Sequence, residues 1–509
     1  MKFPSFPDKT SKEYKLHRRL EMIPGLATWI TLIGAVIMAF LAPIVAAVLV
    51  IFYDFYWLVR TIIISGHSVI SYRRMKKAMQ LNWLKKCKTV KSQDGLRFED
   101  IYHLIIIPYY DESLEILEPS VMAIVNSNFP TKKIILSISA EARAGKEACS
   151  RQEKLKAKYG KHFKAFLTSI HPDKKDEMKV KACNSNWAAK AGIKYLKKQR
   201  IPVKNIIVSN LDSDTCVSPQ YLATAAYHFL KSKDRYHESY QPLPMYNNNI
   251  WDAIAIVRVI SISSSFWHMI ESTRPERLVT FSSHSMSLKA LIDVGLWQED
   301  VINDDSVIFW QCYILYNGNY RSVPVYLPVS MDATMAGSFF KTIVNQYKQK
   351  RRWAYGIEHF PRIARAFLKN KKIPWGERVR HLGIMLEGNH SWATSSFLIL
   401  MLGWLPLIIG GPEFSETVIA HNLPMVTRGI LTLAMIGLVT SMFLSFFLLP
   451  PKPAKYGRFK YVTMVLQWAL VPIIAPLLGS IPAIDSQTRL MFGKYFSNFW
   501  VSEKVRNKK

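Results

Sequence analysis

The chain has 509 residues and a formal net charge of +30, a length that excludes one ordinary domain and a charge that calls for a polyanionic partner. The partner classes are nucleic acid, the anionic cytoplasmic face of a membrane, or a phosphate-bearing substrate. A near-zero mean hydropathy in so charged a chain excludes an even mixture of residue types, and the apolar residues are gathered into long tracts.

The first tract runs from Ile23 to Ile64, is broken by Pro43, and is long enough for two bilayer crossings of about 20 residues each. It is about twice the length of a signal-peptide h-region and has no small-residue cleavage site, so a retained membrane hairpin is expected. Basic stretches flank it, "KEYKLHRR" before and "YRRMKKAMQLNWLKKCK" after, which puts both flanks in the cytoplasm.

A polar insert between Tyr72 and Asn389 follows, in which short apolar runs alternate with helical ones. That is the pattern of an α/β domain with a mainly parallel sheet. "YHLIIIPYYDES", "KKIILSIS" and "VKNIIVSNLDSD" are predicted strands; "SLEILEPSVMAIVNSNF" and "CNSNWAAKAGIKYLKK" are predicted helices; "QPLPMYNNNIWD" reads as a loop. Ligands of such sheets sit beyond the carboxyl ends of the strands, where Asp111, Glu141, Asp212 and Asp214 all fall.

Further apolar tracts run from Trp392 to Ile409, Gly429 to Leu449 and Tyr461 to Ile481. "GGPEFSETVIAHN" lacks Lys and Arg and is expected outside, whereas "PPKPAKYGRFK" is expected inside. A last full span would leave the basic "EKVRNKK" outside. Pro472, Pro476 and Pro482 favour instead a broken or re-entrant segment that returns the tail to the cytoplasm. Because Lys and Arg lie along the segments flanking the spans, membrane topology accounts for the charge and no nucleic-acid partner is expected. The five scattered cysteines, with no CxxC spacing, read as free thiols.

Three clusters carry chemistry. Asp212 and Asp214, one residue apart at a strand end, can place hard oxygens on Mg2+ or Mn2+ beside a nucleotide diphosphate, although Asp-Ser-Asp is also ordinary turn chemistry. Asp304 and Asp305 are adjacent acids, a pairing that raises one pKa and suits a general base; they equally suit the first turn of a helix. In "QYKQKRRWAYG", Gln349, Arg352 and Trp353 share a helix face at spacings of three and four. Arg suits pyrophosphate and indole suits a sugar ring, while a basic interfacial helix with an anchoring Trp is the structural alternative. Asp54, inside the second predicted span, is expected to pair with a polar group or to line a glycan path.

Taken in order from Tyr102 to Trp353, these clusters resemble the family 2 processive membrane glycosyltransferases, the cellulose, chitin and hyaluronan synthase group. The resemblance implies a cytoplasmic GT-A-type domain, an α/β fold inserted between transmembrane helices of a multi-pass plasma-membrane protein. It divides the chain into a tail and hairpin (1–75), the GT-A domain (76–335), the QxxRW and interfacial helices (336–388) and a C-terminal membrane region with a gating-loop-like tail (389–509). By position it implies nucleotide-sugar contacts at Asp111, Glu141, Lys181, Asn186, Asp212, Gln349, Arg352, Trp353 and Lys504, a metal at Asp212 and Asp214, and Asp305 as catalytic base. Asp304, Trp353 and His284 fall beside the acceptor, His284 being equally a hydrogen-bonded structural histidine. Two departures stand out: "LSISAEARAG" leaves Glu141 where the family has D-D-x-S, and Asn303 and Asp304 replace the Thr and Glu of T-E-D. "FWVSEK" resembles the F-x-V-T-x-K gating loop, with Ser502 for threonine. The implied activity is metal-dependent, inverting transfer from a nucleotide sugar, a UDP-sugar foremost, to a growing glycan among membrane lipids, coupled to export, with a partner subunit as one way to complete the channel. The alternatives are a single addition to a lipid-linked acceptor, or a non-enzymatic transporter or scaffold.

Overall fold

Two apolar helices open the chain in a computed structural model that describes residues 1–496 and Glu503. Helix α1 (Lys12–Leu41) starts behind Ser11, whose hydroxyl accepts the Tyr14 amide. It stops at Ala42, which precedes a proline and leaves the helical region (φ −143°, ψ 62°). Pro43 then fits the first turn of α2 (Pro43–Gln80). The expected hairpin is present, and α2 continues through the basic stretch after the apolar tract. Asp54 is buried in α2, and among the described residues it has no hydrogen bond or ion pair, contrary to the expected polar pairing.

The insert begins with α3 (Trp83–Thr89), then β1 (Tyr102–Tyr109), α4 (Leu114–Val125), β2 (Ile134–Glu141), α5 (Gly145–Tyr159), β3 (Ala165–His171), α6 (Lys181–Lys198) and β4 (Ile206–Asn210). These strands are parallel in the order β3-β2-β1-β4. β2 and β4 are buried at every residue, as expected for Ile- and Val-rich strands covered on both faces. Helix α6 lies close on β1 because residue 192 is glycine: a Cβ there would fall 2.6 Å from Leu104 Cδ1.

The second half contains β5 (Cys216–Val217), α7 (Tyr221–Lys231), β6 (Glu238–Tyr246), α8 (Ala255–Ser272), β7 (Ser285–Ser287), α9 (Leu288–Asp293), α10 (Asp304–Leu315) and β8 (Arg321–Met331). It extends the sheet as β4-β7-β6-β8-β5, with β7 antiparallel to β4 and β6, and β5 antiparallel to β8. The result is a GT-A-like mixed sheet. "QPLPMY" is not a loop but the end of β6. Its pairing with β7 stops at Tyr240, so Pro242 and Pro244 lie where one side of the strand has no ladder to supply.

Beyond the sheet come α11 (Phe339–Ala354), α12 (His359–Lys369), α13 (Trp375–Phe397), α14 (Leu405–Ile409), α15 (Gly411–Ser415) and α16 (Val418–Leu448). The tract expected as one span from Trp392 to Ile409 is divided between the end of α13, a π-turn and α14. It runs beside the hairpin, with His390 Nε2 2.9 Å from Thr31 Oγ1. The last tract is a continuous helical run with changes of pitch, containing α17 (Phe459–Leu466), α18 (Val471–Ile474) and α19 (Ile481–Met491). Pro472, Pro476 and Pro482 lie inside this run, which continues through them where a break was expected.

Among the described residues, four helices are long and apolar enough to cross a membrane: Lys12–Leu41, Pro43–Gln80, Val418–Leu448 and Phe459–Met491. The last of these touches the sheet domain along its length. Lys455, just ahead of it, lies 2.7 Å from Asp252, Arg258 Nε donates to Gln467 at 2.6 Å, and Arg351 lies 3.0 Å from Asp485. Phe496 packs 4.4 Å from the Tyr355 ring. Ser502 and Lys504 lie outside the described residues. All five cysteines are free.

Candidate active site

The carboxyl ends of β1, β2 and β4 open on a cavity of about 1110 Å³. Leu211 extends β4 by one bond, its amide donating to the Ile106 carbonyl, and the chain then turns sharply, the Thr215 amide donating to the Asp212 carbonyl at 2.9 Å. The Asp212-Ser213-Asp214 segment is therefore a turn, and both acids line the cavity. Asp212 accepts from Ser282 Oγ at 2.6 Å and from Lys181 Nζ at 2.5 Å. Asp214 accepts from the Asp332 amide at 2.8 Å.

Lys181, the first residue of α6, also reaches both oxygens of Asp305 at 3.1 and 3.2 Å. Burial alone would lower its pKa, but the carboxylates of Asp212, Asp305 and Asp304 prevail and hold the ammonium well above its usual range. Asp304 and Asp305 form the first turn of α10, where the helix dipole favours negative charge. Asp304 is buried, and burial followed by the Asp305 charge pushes its carboxyl up to about 7. Two contacts fix this turn: Asn303 Nδ2 donates to the Arg352 carbonyl at 2.9 Å, and the Ile302 amide donates to Glu358 at 2.8 Å.

Helix α11 brings Gln349, Arg352 and Trp353 to the cavity together. Arg352 lies in the field of Asp212, Asp305 and Asp304, and the Trp353 ring lies 5.7 Å from Tyr246. Glu141 lines the cavity and is paired with Arg143.

Three expected residues are not brought to the cavity wall. Asp111 is exposed and pairs with Arg151 at 2.9 Å, while its neighbour Glu112 faces inward and accepts from Ser213 Oγ. Asn186 is buried and donates to the Trp297 carbonyl and to Glu299, each at 2.8 Å. His284 is buried with Nδ1 3.0 Å from the Phe281 carbonyl and 4.0 Å from Asp305, and burial lowers its pKa. Sequence reasoning passed over Glu112, Ser282 and Asp332. The strand-end rule that found Asp212 also finds Asp332 once β8 is recognised as a strand.

Asp212, Asp214 and Asp332 all line the cavity and carry hard oxygen donors, a chemistry suited to Mg2+ or Mn2+ rather than to a soft metal.

The sequence pattern of the family described as glycosyl transferase family group 2 matches residues 207–474. No curated protein matches the chain in sequence. Among solved structures, the mannosyltransferase PcManGT from Pyrobaculum calidifontis, determined with GDP-Man and Mn2+, is 14% identical with a TM-score of 0.39, over 83% of this chain and 99% of that one. S. aureus TarS 1-349 in complex with UDP-GlcNAc is 11% identical with a TM-score of 0.36, over 78% and 93%. The family match covers β4 to β8, the acid pairs and α11, more than half of the 509 residues, and the chain therefore belongs to glycosyl transferase family group 2 and is a glycosyltransferase.

Proposed function

We propose that the protein polymerises a glycan at the cytoplasmic face of the plasma membrane, transferring sugar from a nucleotide sugar, a UDP-sugar foremost, with inversion, and passes the product between its own helices. The observation that carries this reading is the continuity of the cavity. One wall holds Asp212, Asp214, Asp304 and Asp305, and the same cavity extends to Tyr56 and Trp57 of α2 and Trp392 of α13. Aromatic faces along such a path suit pyranose rings.

In this reading Asp305 takes the proton from the acceptor hydroxyl as that oxygen attacks the anomeric carbon. Asp212 and Asp214 would hold Mg2+ or Mn2+, which when bound offsets charge on the leaving diphosphate. Lys181, released from Asp212, and Arg352 are the cations within reach of that diphosphate. Trp353 bounds the acceptor sugar.

The test is a screen of labelled UDP- and GDP-sugars with each metal on membranes carrying the protein, reading donor consumption and product size. Polymer is expected, and Asp305→Asn is expected to lower transfer about 10²- to 10⁴-fold while nucleotide binding persists. A lipid-soluble monoglycoside as sole product would instead establish single addition to a lipid carrier. Wild-type transfer by Asp305→Asn would remove the base assignment.

A further inference from the structure

We propose that Lys350 reads a negative charge on the acceptor, so that the glycan beside Trp353 is an acidic one whose uronate carboxylate pairs with this lysine. The inference rests on the polymerase reading above and names its substrate class.

Lys350 occupies the first variable position of Gln-x-x-Arg-Trp and lines the cavity. Its ammonium sits 4.4 Å from the centroid of the Trp353 ring and donates to Ser264 Oγ at 2.7 Å. The other Lys and Arg side chains of the wall face acids. Arg60 pairs with Glu387, Arg143 with Glu141, Lys181 with Asp212 and Asp305, Arg277 with Glu271 and Arg274 with Glu276, and Arg352 lies in the field of Asp212. Among the described residues Lys350 has no carboxylate partner.

The surrounding elements supply none either. Helix α8 presents Ser264, His268, a histidine kept neutral by burial that pushes its pKa down to about 3, and Glu271, whose carboxylate faces Arg277. The last helical run presents Ile474, Ala475 and Leu478, and α11 itself contributes Trp353. Burial with no opposing charge brings the Lys350 ammonium down to about 7.

A half-desolvated ammonium is costly unless something pairs with it, and a methionine would fill the same volume without that cost. An anion arriving with the ligand supplies the pair. The ammonium has one hydroxyl and one aromatic face already engaged, which leaves room for one monoanionic group. A phosphate usually collects several donors or an Arg fork. Trp353, Trp267 and Tyr246 on the same wall suit sugar faces, which favours a carboxylate carried on a pyranose.

Binding to the purified full-length protein in detergent, with no nucleotide present, tests this. The probes are a hexameric oligoglucuronate, its carboxyl-reduced neutral counterpart, inorganic phosphate and a polyprenyl phosphate. The acidic hexamer is expected to bind at least tenfold tighter than the reduced one at pH 6. That preference should fall about tenfold between pH 6 and pH 8 as a group titrating near 7 loses its charge. Lys350→Gln should abolish both the preference and its pH dependence, and Lys350→Arg should keep the preference at pH 8. Equal binding of the two hexamers by the wild type, or an unchanged preference in Lys350→Gln, would overturn the proposal. Lys350-dependent binding of polyprenyl phosphate without a uronate preference would assign the lysine to a lipid phosphate and overturn it as well. Donor turnover with Mn2+ in the same preparation is read separately, so loss of the polymerase reading and loss of this inference are distinguishable.

Discussion

Lys181→Met removes the ammonium that joins the two acid pairs. In the wild type that ammonium lies 2.5 Å from Asp212 and 3.1 Å from Asp305, with Asp304 buried behind. Breaking a fully buried ion pair costs about 3–5 kcal/mol because the remaining charge is stranded. Asp212 and Asp305 are 24% and 23% exposed, so screening reduces the expected cost to about 2 kcal/mol. For a chain of 509 residues that corresponds to a fall in Tm of roughly 2 °C. The pH dependence has a definite sign. Without Lys181 the Asp304 carboxyl, already raised by burial and by the Asp305 charge, loses a cation that lowers it and rises further, and a raised carboxyl destabilises progressively as pH climbs from its unfolded pKa through its folded one. The loss should therefore be small near pH 5 and largest at pH 8, and transfer should fall because the ammonium that joins the two acid pairs is gone. Thermal melts in detergent from pH 5 to 8, together with a pH-rate profile, measure both effects. Lys181→Met/Asp304→Asn, with one acid fewer to strand, should recover most of the stability. Melting at the wild-type temperature throughout this range would refute the reasoning, since it would mean that Lys181 holds no charge in place.

Glu358 is buried with its carboxyl pushed up to about 7 from 4.5; a raised acid pKa destabilises above the unfolded value, so Glu358→Gln should gain about 2–3 kcal/mol at pH 8 and little at pH 5 by thermal melts. Gly192→Ala would drive a methyl to 2.6 Å from Leu104 Cδ1, and about 1–3 kcal/mol should be lost; Leu104→Ala in the same chain should recover part of it, which a double-mutant cycle would detect. Asn303→Ala cuts the 2.9 Å bond to the Arg352 carbonyl that ties the acid turn to α11. It should cost about 1 kcal/mol and lower kcat more than nucleotide affinity, as steady-state kinetics would show.

Legibility in the sequence followed burial. β1, β2 and β4 are unbroken Ile- and Val-rich runs covered on both faces, and each was recognisable as a strand with an acid near its end. β6 carries two prolines, β7 is three residues long and β5 two, so none shows a periodicity to detect. Their pairing is set by tertiary contact, and Asp332 was lost with β8, which also carries two prolines. The hairpin was legible because a pre-proline break has a local cause. The exchange of Asp111 for Glu112 was not: beyond Tyr109 the strand has ended, and alternation no longer says which of two adjacent acids faces in.

The Asp-Ser-Asp stretch had two local readings, turn or metal site, and they are compatible, since the turn closed by the Thr215 amide leaves both carboxylates lining the cavity. Helix α11 shows the complementary limit of local pattern. Spacings of three and four correctly placed Gln349, Arg352 and Trp353 together, but they assume a flat contact in which the intervening positions turn away. Lys350 is one residue along from Gln349, about 100° around the helix, and it lines the same cavity. The cavity wraps around the end of α11 between α8 and the last helical run, so more than one face of that helix meets it. A position that a face pattern writes as x is then free to carry specificity, and Lys350 is where this chain departs from a merely apolar filling.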